Sequence, residues 1–182
     1  MSWDKLLTTA ADQHGYFTSA QAATAGISRR ALTWRADHGS AARAGYGLYR
    51  LPHWPTEAND ELYALQARAP FGTFSHETAL SLLGLSDIIP TAIHFTIPES
   101  SRLGARAGIR LHRSRHRADQ DRTLRDGLWV NTARRALLDS ARIGSDPDQL
   151  MDAAREARDR AMLTAEDIER LREHRLFRRA MQ

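Results

Sequence analysis

The sequence contains no cysteine. That excludes disulfides, thiolate catalysis and cysteine-based zinc sites, and it fits a reducing compartment. Lysine is almost as scarce: of 26 basic residues only Lys5 is a lysine, the other 25 being arginine. Chemistry needing several lysines is thereby removed. A PD-(D/E)xK-type nuclease, which needs a lysine beside its metal carboxylates, has no candidate but Lys5. No run of about 18 apolar residues occurs, so no membrane-spanning helix is expected. The start, Met1-Ser2-Trp3-Asp4-Lys5, lacks a basic stretch followed by an apolar one. This predicts no signal peptide and a cytoplasmic location.

What is present is globular in character. The 182 residues are 42% hydrophobic and 26% charged, enough for one ordinary domain or two small ones. The net charge of +4 conceals an uneven distribution. Residues 1–55 carry six basic and three acidic groups, and residues 56–101 carry one and six. Residues 102–142 carry eleven and four, and residues 143–182 carry eight and nine. Two basic blocks separated by an acidic one suggest basic surface organised around an anionic partner; the plainer reading is a solvated arginine-rich face. Prolines in Leu51-Pro52-His53-Trp54-Pro55 interrupt regular structure. The expected domains are therefore 1–54 and 55–182.

The first fifty residues read as a winged helix-turn-helix. Trp3, Leu6, Leu7, Ala10 and Ala11 form one stripe of an amphipathic helix ending near His14-Gly15. After the apolar pair Tyr16-Phe17, Thr18 and Gln21 have the spacing of a capping box. A short alanine-rich helix then stops at Gly26. Ser28 caps a third helix, with Ile27 and Leu32 placed as a hydrophobic staple, and that helix ends near Gly39. Two helices joined by a tight glycine-containing turn make a helix-turn-helix. Ser40 to Leu51 follows as two short extended pieces around Gly45-Tyr46-Gly47, a β-hairpin wing.

The third helix carries the chemistry. With Leu32 inward, Arg29, Arg30 and Thr33 point outward from its N-terminal half, the end that enters a major groove. Arginine there can donate two hydrogen bonds to guanine O6 and N7. Ser28 and the helix N-terminus suit a backbone phosphate, and Arg43 and Arg50 flank the wing tip within reach of phosphates or the minor groove. One of Trp34 and Arg35 packs toward the wing; the spacing does not decide which.

These stretches resemble a known family. The run Gly15-Tyr16-Phe17-Thr18, Ala25 through Leu32 and Arg43 through Leu51 is similar to the N-terminal domain of AbiEi-type antitoxins, the winged-helix transcriptional regulators of type IV toxin–antitoxin systems. The later stretches Ser75-His76-Glu77-Thr78-Ala79-Leu80, Leu83-Gly84-Leu85, Ile93 through Pro98 and Val130 through Asp139 also resemble relatives of that family. The resemblance implies double-stranded DNA upstream of its own operon as a partner, repression of that operon, and neutralisation of a nucleotidyltransferase-like toxin. A protein-interaction module, or a stand-alone regulator with no toxin partner, is the alternative.

The second domain reads as α+β, a small sheet covered by helices. Helices are expected at 56–69 with Leu62, Leu65 and Ala69 inward, from a Ser75 cap through Leu83, and from a Thr132 cap through Ala141. Two more are expected near Pro147–Met162 and from a Thr164 cap. Ile93–Ile97 and Ile109–Arg113 alternate as half-buried strands, expected to pair across the Ser100–Gly108 turn. Arg110, Arg113, Arg115 and Arg117, within the basic block 102–125, are auxiliary DNA-backbone candidates. A docking face for an acidic partner and a solubilising surface are the competing readings.

No catalytic constellation emerges. Gly144-Ser145 with Asp146 and Asp148 superficially matches a nucleotidyltransferase, but Asp146-Pro147-Asp148 is an ordinary helix start. His112 and His116 with Asp119 and Asp121 can be sketched as a metal site, yet among neighbouring arginines they read as a solvated basic loop. No enzyme, cofactor or metal is expected.

Overall fold

Local capping chemistry sets the first elements. In the computed structural model, which describes residues 3–85, 87, 89–115 and 119–181, helix α1 (Trp3–Ala11) buries Leu6 and Ala10. Strand β1 (Tyr16–Thr18) follows, and Thr18 closes the expected capping box on α2 (Ser19–Thr24). The Gln21 N–H donates to Thr18 Oγ1 at 3.2 Å, while the Thr18 N–H donates to Gln21 Oε1 at 2.8 Å. Ser28 Oγ accepts from the Ala31 N–H at 3.2 Å and opens α3 (Arg29–Asp37). Leu32 is buried with Leu6, Ala10, Phe17, Ala22 and Ala41, and Ile27 packs against that cluster as the staple requires.

The wing is a hairpin of β2 (Ala42–Gly45) and β3 (Leu48–Arg50), antiparallel, with a bulge between Arg43 and Gly45. Its tip turns through Gly47 at φ +64°, a left-handed conformation that costs glycine nothing. The pair Tyr16-Phe17 is a third strand of this sheet, whose order is β1-β3-β2. Helix α4 (Asp60–Arg68) starts later than expected and packs with the same unit. The His14 and Tyr63 rings stack with centroids 3.5 Å apart, and Arg68 donates to the Tyr46 carbonyl at 3.0 Å. The chain consequently divides into units 1–70 and 71–182, later than the 54/55 boundary set by the prolines.

The second unit holds a five-stranded mixed sheet, order β6-β5-β4-β8-β7. Its strands are β4 (Thr73–Phe74), β5 (Ile93–Pro98), β6 (Ile109–Ser114), β7 (Arg122–Arg125) and β8 (Leu128–Asn131). Helices α5 (His76–Leu82), α6 (Ala133–Arg142), α7 (Pro147–Asp159) and α8 (Ala165–Glu173) complete it. Phe74, Phe95, Leu80, Val130, Leu137 and Leu150 are fully buried in its core.

Two expectations fail here. Strands β5 and β6 are parallel, Ile93 opposite Ile109 and Thr96 opposite His112, and no hairpin forms between them. The segment 99–108 is longer than hairpin loops usually are, and it carries the chain back to the starting end of β5. Ser75 and Thr132 occupy helix N-cap positions, but neither hydroxyl makes the cap bond. Thr164 and Asp146 do cap their helices. Among the described residues no helix is long and apolar enough to cross a membrane.

Candidate nucleic-acid interface

The first turn of α3 lies at the surface because Leu32 fixes the opposite side in the core. Ser28, Arg29 and Arg30 are exposed and Thr33 is half-buried. Arg29, Arg30, Thr33, Trp34 and Asp37 line a shallow depression on this face. Arg29 also lines a second groove, which Arg43, Tyr46 and Tyr49 of the wing close from the other side. The start of the third helix and the wing thus face one concavity. Among the described residues Arg29, Arg30 and Arg43 have no hydrogen-bond or ion-pair partner, so their guanidinium groups stand ready for an external anion.

The Trp34/Arg35 ambiguity resolves through α1. Arg35 turns back over the Trp3 ring, 4.3 Å from its centroid, while Trp34 is 56% exposed and stacks on His38. Trp34 and Tyr46 were not among the expected contacts. Tyr46 is 94% exposed between Gly45 and Gly47 at the wing tip. The signal was available, since an aromatic between two tip glycines has no core to reach.

Arg50 has partners within its own unit. Its guanidinium donates to the Pro55 carbonyl at 2.7 Å, pairs with Asp60 at 3.0 Å and lies over the Tyr16 ring. Half-buried and paired with α4, it braces the unit.

Two of the second-unit arginines also have internal partners. Arg113 donates to the carbonyls of Glu99 at 3.3 Å, Ser101 at 2.7 Å and Leu103 at 3.1 Å, pinning the loop that makes β5 and β6 parallel. Arg115 pairs with Glu99 at 2.7 Å. Arg110 is exposed, and Arg117 lies outside the described residues. Arg113 and Arg115 thus both make contacts within the 99–103 loop of the protein itself.

The acidic candidates are also occupied. Asp119 pairs with Arg122 at 2.6 Å, and Asp121 is held by Arg134 and Arg135. Of the two histidines in that sketch, His112 lies on β6 and His116 lies outside the described residues. Ser145 donates to Glu77 at 2.6 Å, and Asp146 accepts from the Asp148 and Gln149 N–H groups at 3.0 and 2.9 Å. Asp146 is a helix cap, as the sequence suggests.

Comparison with known proteins adds three findings. Residues 4–52 match the family described as transcriptional regulator, AbiEi antitoxin. The crystal structure of the RV2827C protein from Mycobacterium tuberculosis has a similar fold, at TM-score 0.58 and 17% sequence identity, over 97% of this chain and 74% of that one. None of the curated proteins matches the sequence.

Proposed function

We propose that this chain, whose N-terminal residues 4–52 match the AbiEi-antitoxin family of transcriptional regulators, binds double-stranded DNA upstream of its own operon and represses it. One observation carries the reading: Arg29, Arg30 and Arg43 are unpaired among the described residues, and Arg29 lines both the groove it shares with Arg43 of the wing and the depression it shares with Arg30. Arg29, Arg30 and Thr33 enter the major groove, Ser28 and the α3 N-terminus take a phosphate, and Arg43 with Tyr46 follows the backbone beside it. Arg110 is retained as an auxiliary backbone contact. The reading extends to neutralisation of a nucleotidyltransferase-like toxin, which the family resemblance supports.

Anisotropy titration of the upstream DNA against a scrambled duplex, at two salt concentrations, tests the DNA reading. Arg29→Ala with Arg30→Ala is expected to cost about 1–3 kcal/mol per lost guanine contact and to erase the sequence preference. Equal affinity for both duplexes, or an unchanged preference in the double variant, overturns it. Co-purification with the product of the adjacent gene, lost when residues 71–182 are removed from a tagged chain, tests the toxin partner separately.

A further inference from the structure

Three histidines meet in the second unit. His76 opens α5, His94 lies on β5 and His112 on β6. Parallel pairing sets Thr96 opposite His112 and Arg110 opposite His94, so the two strand histidines are diagonal neighbours on one sheet face. His94 Nδ1 and His112 Nε2 are 3.1 Å apart, and the His76 ring stacks on His112 with centroids 3.7 Å apart. One nitrogen from each of the three lies within 4.8 Å of the others. His94 is 2% and His76 6% exposed.

We propose that His76, His94 and His112 form a binding site for one divalent transition-metal ion, zinc by its ligand chemistry, which ties α5 to β5 and β6. Imidazole nitrogens suit zinc among the late first-row ions, and three of them leave a position open for water or an external ligand. Around a tetrahedral zinc the nitrogens sit roughly 3.3 Å apart, from metal–nitrogen distances of about 2.0–2.1 Å. The His94–His112 separation is already close to that edge. His76 must turn out of its stack on His112 for its lone pair to converge with the others.

The surroundings are those of a ligand set. Ser75 Oγ lies 2.9 Å from His76 Nδ1 and accepts from Thr96 Oγ1 at 2.7 Å; in the tautomer whose Nδ1–H donates to that hydroxyl, His76 Nε2 carries the lone pair for the metal. This explains why Ser75 does not cap α5. Burial, with the neighbouring histidines adding to it, pushes His76 down to about 3, and burial lowers His112 to about 4. Burial lowers His94 as well, so all three rings favour the neutral form that binds metal. His76 holds φ +53°, a rare conformation for a side chain bearing a Cβ, which the surrounding structure must enforce. A core that needed only filling would meet neither this strain nor the desolvation of three imidazoles.

The test uses the tag-free full chain, stripped with chelator and titrated calorimetrically with zinc chloride, with metal content measured after gel filtration. One zinc per chain is expected, with a rise of several degrees in melting temperature. His76→Asn, which tolerates the left-handed backbone, and His112→Gln are expected to bind at least tenfold more weakly, while exposed His53→Gln in the first unit binds as the parent does. No zinc uptake by the parent chain overturns the proposal, as does uptake unchanged in both site variants. Should those variants lose their fold, the cobalt(II)-loaded parent chain decides. Intense visible bands of a four-coordinate ion support the site, and the weak bands of aqueous cobalt overturn it.

Discussion

Arg43 and Arg50 sit on the same hairpin and do opposite things. Arg43 is exposed and unpaired, whereas Arg50 is locked between Asp60, the Pro55 carbonyl and the Tyr16 ring. Arg43→Ala is expected to leave stability unchanged and to weaken binding to all duplexes alike, lowering the salt slope by about 1. Arg50→Ala strands the half-buried Asp60 and is expected to cost about 1–3 kcal/mol in urea denaturation. Asp167 gives a pH-dependent case. Burial raises its carboxyl, but the Thr164 N–H and hydroxyl, with Arg134, outweigh that and hold it below the usual carboxylate range. A lowered folded value contributes stability above the unfolded value, lost as pH falls through the folded one. Asp167→Asn should therefore destabilise by about 1 kcal/mol at pH 7, and the deficit should shrink below about pH 3.9 in acid-denaturation series.

At the scale of the element, caps and glycines decide. Thr18→Ala removes the α2 capping box and is expected to cost about 1 kcal/mol, read as a lower thermal midpoint. Gly47→Ala forces a Cβ into φ +64° at the wing tip and should cost about 1–2 kcal/mol. These features were legible in the sequence because a cap acts over three residues and a tip glycine over one. Thr18, Ser28, Asp146 and Thr164 all cap as their spacing implied. The direction of β6 was not legible, since alternating Ile109 and Leu111 suit a parallel and an antiparallel neighbour equally. Strand β4 was missed because two residues have no period. The Arg50–Asp60 pair was not legible, because Asp60 lies on an element whose packing the prolines concealed. The three-histidine cluster needed strand pairing to exist at all, since no short spacing joins His76, His94 and His112.

For the whole molecule, the charge pattern divides by use more than by position. Arg29 and Arg30 at the start of α3 and Arg43 on the wing stand unpaired among the described residues, whereas many in the second unit hold the protein to itself: Arg113 a loop, Arg134 and Arg135 the carboxylates of Asp121, Asp139 and Asp167. Salt titrations of the chain and of Arg29→Ala with Arg30→Ala should therefore differ in slope, while Arg134→Ala should lose about 2–4 kcal/mol of stability and keep its slope. The sheet order has a further consequence. Between the β5–β6 pair and the β7–β8 pair stands β4, where Thr73 and Phe74 face Thr96 and Phe95 on one side and Phe74 alone faces Val130 on the other. The sheet is in effect two ladders sewn along a seam two residues wide. Its amides are then expected to exchange with solvent as two separate cooperative blocks, since parting the seam leaves each ladder whole.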